Sequence, residues 1–168
     1  MISVIENGSI TTPGGFAAGS VAAGIKYRDR LDLALVCSEL PAVAAGMFTM
    51  NAIRSAPVQL SAKRVARGSA KAVIANSGCA NACTGDRGVR DAESMTALAA
   101  AHLGLSPEDV LVASTGVIGT YLPMDRVADG LNSMSVDASR GHDFARAIMT
   151  TDTVAKEIAV SVDFEGGA

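Results

Sequence analysis

The chain has no tryptophan, and four phenylalanines and two tyrosines are its whole aromatic content across 168 residues. A core built on large rings is excluded. The 30 alanines and 17 glycines imply close backbone approach and tight layers instead. Basic residues are also few: 14 Lys and Arg stand against 17 Asp and Glu, a net charge of −3. The densest basic group, Lys63, Arg64 and Arg67, fits one face of one helix. No stripe neutralises a phosphate backbone, so a nucleic-acid partner is not expected. Long apolar runs are missing too. The longest uncharged stretch, Asn7 to Ile25, is rich in Gly, Ser, Thr and Pro and makes a poor bilayer span. No basic segment followed by an apolar block opens the chain, so no signal peptide is expected. Three cysteines (Cys37, Cys79, Cys83), odd in number and few, suit a reducing cytoplasmic compartment.

Several reaction centres are missing as well. There is no GxxxxGK(S/T) phosphate loop, since GGFAAGS at 14–20 lacks the lysine and a preceding strand. There is no HExxH, and the two histidines, His102 and His142, lie far apart in sequence. Cys79 and Cys83 have no neighbouring histidine or second cysteine pair, so they read as small buried or turn residues and no metal site is expected. No GxSxG elbow is present.

What is present is an alternation of strand and helix patterns. With 49% hydrophobic residues and a mean hydropathy of +0.31, the chain is not disordered. Residues 7–20 read as a turn-rich entry segment. Leu31, Leu33, Leu35 and Cys37 alternate as in a buried strand, and Ala42 to Thr49 reads as the next. Pro57 opens a short helix through Val65, ended by Gly68. A short strand, Ala72 to Ala75, precedes the turn-rich run NSGCANACTGDRG. A helix is expected over Arg90 to Leu103 with Gly104 as its cap, then a single turn at Ser106–Asp109 and a strand over residues 111–114. Met124, Val127, Leu131 and Met134 line one helix face. A short helix fits His142 to Met149, and alternation from Glu157 to Phe164 gives a final strand. Interleaved strands and helices predict an α/β layered domain.

Two short polar runs at element ends carry candidate chemistry. In Ser114-Thr115-Gly116-Val117-Ile118-Gly119 a strand carries the chain to Thr115 and two glycines then let it turn. A Thr hydroxyl and the next N–H, each about 3 Å from a developing oxyanion, would stabilise it, and losing one such donor costs roughly 3 kcal/mol of barrier. The same residues also suit a plain strand-to-helix turn in which Gly supplies a positive φ. Thr150-Thr151-Asp152-Thr153 sets three hydroxyls around a carboxylate, which suits either a polar ligand or the closing of a helix end.

Taken in order, the segments GFAAGSVAAGIK (15–26), DLALVCSELPAVAAGMFTMN (32–51), APV (56–58), NSGCANACTGDRG (76–88), DA (91–92), VLVASTGVIGTYLPMD (110–125) and TTDTVAK (150–156) resemble the ornithine acetyltransferase, or glutamate N-acetyltransferase, family of arginine biosynthesis. The resemblance implies an N-terminal-nucleophile-like α/β sandwich of sheets flanked by helices. It implies a precursor that cuts itself at an Ala-Thr bond and assembles as a heterotetramer of two α and two β chains. The new N-terminal Thr of the β chain is then the nucleophile, activated by its own α-amine. That Thr takes acetyl from N2-acetylornithine and gives it to glutamate; acetyl-CoA is a further donor in some members. No cofactor is implied. Residue by residue, Thr115 and Gly116 match the oxyanion pair, and Thr150 matches a substrate-binding threonine. The Asn76–Gly85 run is expected to shape the site. The family's KGxGMI…AT segment, with its substrate-binding lysine and nucleophilic Thr, has no counterpart in this sequence, which ends Phe164-Glu165-Gly166-Gly167-Ala168. The resemblance therefore implies a single α-chain domain over 1–168. Two rivals stand beside it: a self-processed aminopeptidase with water as acceptor, and a non-catalytic module binding an amino acid or a partner chain.

Overall fold

The computed structural model describes residues 1–164. The expected terminal Ala168 lies outside them. Four strands form the main sheet: β2 (Phe16–Val21), β3 (Leu33–Val43), β4 (Ser69–Cys79) and β5 (Val110–Val117), side by side in that order. β2/β3 and β3/β4 are antiparallel, while β4/β5 is parallel. A parallel pair needs a crossover, and α2 (Gly85–Leu103) supplies it. β1 (Ile2–Ile5) and β6 (Ala159–Val162) form a separate antiparallel pair. The remaining helices are α1 (Ala56–Val65), α3 (Met124–Ser133) and α4 (Gly141–Ala147).

The two sheet faces follow from the two-residue strand period. Leu33, Leu35, Ile74, Val110 and Val112 point one way and pack with Ala92, Met95 and Ala99 of α2 and Val127 and Leu131 of α3. Ala34, Val36 and Ala75 point the other way, where Phe144 and Ala147 of α4 meet them. Helices thus flank the sheet on both faces, as the α/β expectation required. α4, however, lies mainly against β2 and β3. Beside it an apolar groove of about 540 Å³ runs over Val73, Ala75, Ala113 and Thr115.

Several boundaries differ from the sequence pattern for local reasons. The entry segment contains strand β2, since its small residues pair fully with Leu33–Ser38. The strand expected over Ala42–Thr49 ends at Val43 as the tail of β3, and residues 44–54 form no ladder. β4 runs well past Ala75, through the first four residues of the turn-rich run. α2 starts at Gly85 rather than Arg90. Gly104 does cap α2, with φ +67 and its N–H on the carbonyls of Ala100 and Ala101. No described helix is long and apolar enough to cross a membrane.

Candidate functional site

β5 is an edge strand, and its two halves have different neighbours. At Val112 the hydroxyl of Ser61 on α1 donates to the carbonyl (2.7 Å) and accepts from the N–H (2.9 Å). The Arg64 guanidinium donates to the Val110 carbonyl at 2.6 Å. Those groups therefore point away from β4. On the opposite side, the Val117 carbonyl accepts from the Ala80 N–H at 2.9 Å. Backbone groups alternate sides along a strand, so the Gly116 N–H is turned to the outer edge, past the bonds that Ser61 and Arg64 make.

Gly116 does not turn the chain, contrary to the sequence expectation. It sits inside the parallel ladder opposite Gly78, and the turn falls at Gly119, whose N–H donates to the Ala82 carbonyl at 2.9 Å. Both ladder glycines have positive φ, +98 at Gly78 and +132 at Gly116. A Cβ on Gly116 would lie 2.4 Å from the Gly78 carbonyl carbon, and one on Gly78 would lie 2.6 Å from Cβ of Lys26. The paired glycines thus let three layers of backbone stack without side chains between them. This close approach brings Lys26 next to the end of β5.

The loop carrying Lys26 is shaped by a buried carboxylate. Asp32, at the start of β3 and 1% exposed, accepts from the N–H of Ala23 (2.7 Å) and of Ile25 (2.6 Å). Burial pushes its pKa up, and these backbone donors pull it back. Past the loop, Tyr27 lies between two cations, 4.9 Å from the Lys26 ammonium and 5.3 Å from the Arg30 guanidinium. Hydrogen bonding and charge from Lys26 hold the Tyr27 phenol below its ordinary range.

The third wall comes from the chain after α4. Thr150 donates its N–H to Asp152 at 3.2 Å, and Lys156 holds the other carboxylate oxygen at 2.5 Å. Lys156 and then the Thr150 N–H keep the Asp152 pKa below the usual carboxylate range. These bonds lie within the run and to Lys156, so the run forms a local turn after α4 rather than capping it. It also faces a cleft of about 320 Å³ lined by Lys26, Tyr27, Gly78, Thr115, Gly116, Val117, Met149, Thr150 and Thr151. Thr115, Gly116 and Thr150 are all in that lining. Sequence reasoning gave no role to Lys26 or Tyr27, and it reached Gly78 only through the Asn76–Gly85 run expected to shape the site. Their signals were faint: one lysine ending the GFAAGSVAAGIK segment, and a glycine whose in-register partner lies 38 positions on.

The Asn-rich run forms the end of β4, where Gly78 lines the cleft, and then the turn into α2. The Asn76 amide donates to the Cys79 carbonyl at 2.9 Å, the Asn81 amide to the Gly88 carbonyl at 2.8 Å, and the Thr84 hydroxyl to the Asn81 side chain at 2.7 Å. The three cysteines are free thiols, with Cys79 buried and Cys83 exposed. Among the described residues, no three His, Cys, Asp or Glu side chains gather as a metal cage.

Comparison with known proteins gives a consistent result. The ArgJ family pattern matches residues 17–168. An arginine biosynthesis bifunctional protein ArgJ from Dehalococcoides mccartyi is 49% identical over 167 residues, 98% of this chain and 41% of the relative. Its namesake from Caldanaerobacter subterraneus is 48% identical over 164 residues, 96% of this chain and 40% of the relative. Among solved structures, the arginine biosynthesis bifunctional protein of Bacillus halodurans superposes with a TM-score of 0.94 at 39% identity, covering 99% of this chain and 88% of that one. The ornithine acetyltransferase of Mycobacterium tuberculosis, complexed with ornithine, gives 0.87 at 41% identity, covering 95% and 88%. The chain spans about two fifths of the length of the curated relatives it matches.

Proposed function

Because the chain belongs to the ArgJ family, we propose that it is the α part of a glutamate N-acetyltransferase acting in arginine biosynthesis, with its cleft supplying the polarising half of a shared active site. The observation that carries this reading is the convergence of the adjacent Thr115 and Gly116 with Thr150, distant from them in sequence, on one cleft. The attacking group belongs to a companion β chain, cut from the same precursor, whose N-terminal Thr hydroxyl loses its proton to its own α-amine.

That hydroxyl adds to the acetyl carbonyl of N2-acetylornithine, and the carbonyl oxygen takes up the negative charge. The Thr115 hydroxyl and the outward Gly116 N–H donate to that oxygen. Fixed donors of this kind cost no reorganisation when the charge appears, which makes them effective. As the C–N bond breaks, the ornithine amine takes the proton and leaves, and the acetyl group remains as an ester on Thr. The glutamate amine then adds to the ester through a second oxyanion at the same two donors. The C–O bond to Thr breaks, and the amine's proton passes through the α-amine to the Thr oxygen as acetylglutamate leaves. Thr150 holds the amino-acid portion of donor and acceptor in turn. The full assembly is two α and two β chains in the cytoplasm. The open outer edge of β5 and the exposed Val117 and Ile118 leave a surface for the companion chain.

The test mixes this chain with its companion, supplies N2-acetylornithine, and follows products with glutamate, with water alone, and with acetyl-CoA as donor. Acetylglutamate formation supports the transferase. Acetate release without transfer to glutamate identifies an amide hydrolase, and the absence of both products leaves a non-catalytic module.

A further inference from the structure

Two charged side chains flanking Leu31 reach opposite walls of the cleft. Arg30 donates from Nη2 to the Met149 carbonyl at 2.5 Å and from Nη1 to the Thr150 carbonyl at 3.5 Å. These carbonyls follow the last turn of α4, where no intrahelical N–H is left to pair with them. Asp32 reaches the other way, to the N–H groups of Ala23 and Ile25. Its own backbone is anchored on both sides: its N–H donates to the Val21 carbonyl at 3.1 Å, and its carbonyl accepts from the Ser77 N–H at 2.9 Å. Ser77 stands opposite Thr115 in the ladder. The base of both arms is thus registered to the strand pair that presents Thr115 and Gly116.

We propose that Arg30 and Asp32 are positioning residues that clamp the cleft rim, Arg30 fixing Thr150 through the carbonyls of Met149 and Thr150, and Asp32 fixing the Lys26–Tyr27 corner through the amides of Ala23 and Ile25. Neither side chain touches the reacting atoms. The choice of a carboxylate at position 32 fits this role. A fully buried Asp is costly unless its oxygens are taken, and two separate oxygens here each take one N–H. An Asn offers one acceptor oxygen and would release one of the two amides. At position 30, a planar fork of donors can span two successive carbonyls, which an ammonium point charge does less well.

The Arg30 arm rests on Thr150 being a substrate contact, so its test is a cycle in the assembled enzyme. Arg30→Met is expected to raise KM for N2-acetylornithine about tenfold with kcat within about twofold, because the oxyanion donors stay on β5. Arg30→Lys recovers only part of the loss, since an ammonium does not match the fork across both carbonyls. In a Thr150→Ala background, Arg30→Met adds little, since the residue it positions is gone. An unchanged KM in a folded Arg30→Met enzyme, or a full additional loss on top of Thr150→Ala, overturns this arm.

Amide hydrogen exchange on the same proteins reads both arms without turnover. Faster exchange at residues 149–151 in Arg30→Met and at 23–26 in Asp32→Asn, each confined to its own segment, supports the clamp. Unchanged exchange at both, or acceleration spread across the whole sheet, refutes it. Should the assembled wild-type protein transfer no acetyl group, the acetyltransferase reading falls while exchange still decides the clamp.

Discussion

The first and second halves of β5 pair with the same strand, β4, yet they do different things. Val110 and Val112 are buried under α2, with 0% and 4% of their surface exposed, and α1 seals their outer edge through Ser61 and Arg64. From Thr115 onward the side chains of β5 stand exposed, and neither Ser61 nor Arg64 reaches its edge. One turn of sequence thus separates backbone groups that are fully satisfied within the chain from groups turned toward a cleft. A strand edge left open is free to pair, so the open stretch beside the sealed one fits the companion chain proposed above. The apolar half fixes the position of the polar half, and the rim segments then close around it by hydrogen bonds rather than by packing.

That contrast can be broken from either side. The largest effect is expected at the ladder glycines. Gly116→Ala puts a Cβ 2.4 Å from the Gly78 carbonyl carbon at a φ of +132, so the end of β5 must move. Turnover should fall by about 100-fold or more, with about 1–3 kcal/mol lost in stability. Wild-type rate and melting temperature in that variant would remove the need for the close approach. Ser61→Ala attacks the sealed half instead. It strands the buried N–H and carbonyl of Val112 and should cost about 1–3 kcal/mol in urea unfolding while leaving kcat unchanged in the folded enzyme. A loss of kcat at full stability would erase the distinction between the halves. Thr150→Ala should raise KM about tenfold with little change in kcat; an effect confined to kcat would move Thr150 out of substrate binding.

The smallest effect is one of pH. The Asp152 pKa is lowered in the folded chain by Lys156 and the Thr150 N–H. Its contribution is complete above the ordinary carboxylate range and is lost as pH falls through the lower folded value. Amide exchange at Thr150 should therefore stay slow, relative to the intrinsic rate, at neutral and mildly acidic pH. It should quicken only below the usual carboxylate range. Quickening near neutrality would assign the tie to another group.

The two halves also differed in how far they could be read from residues alone. Period-two alternation of Leu and Val found the apolar half of the sheet, and the Met124–Met134 spacing found α3, because burial writes itself into hydropathy. β2 was read as turn-rich because Phe16-Ala17-Ala18-Gly19-Ser20-Val21 has almost no bulky residues. Its small size is what packing demands: a Cβ on Gly19 would lie 2.5 Å from the Ser135 carbonyl oxygen. The opposite error, extending a strand through Met47 and Phe48, took apolar composition for pairing where no partner strand exists; Met47 and Met50 are fully exposed. At the candidate site, ordered motifs single out Thr115, Gly116 and Thr150, and these line one cleft. Arg30, Asp32 and Lys26 carry no such signal, since their contacts join segments that are not adjacent in sequence.

The most direct test of the polarising role assigned to the open half of β5 is single-turnover acetyl transfer by Thr115→Ala in the assembled enzyme, with stability measured alongside. The account predicts a rate about 100-fold lower or more, with unchanged melting temperature and assembly. A wild-type rate from that variant would contradict it.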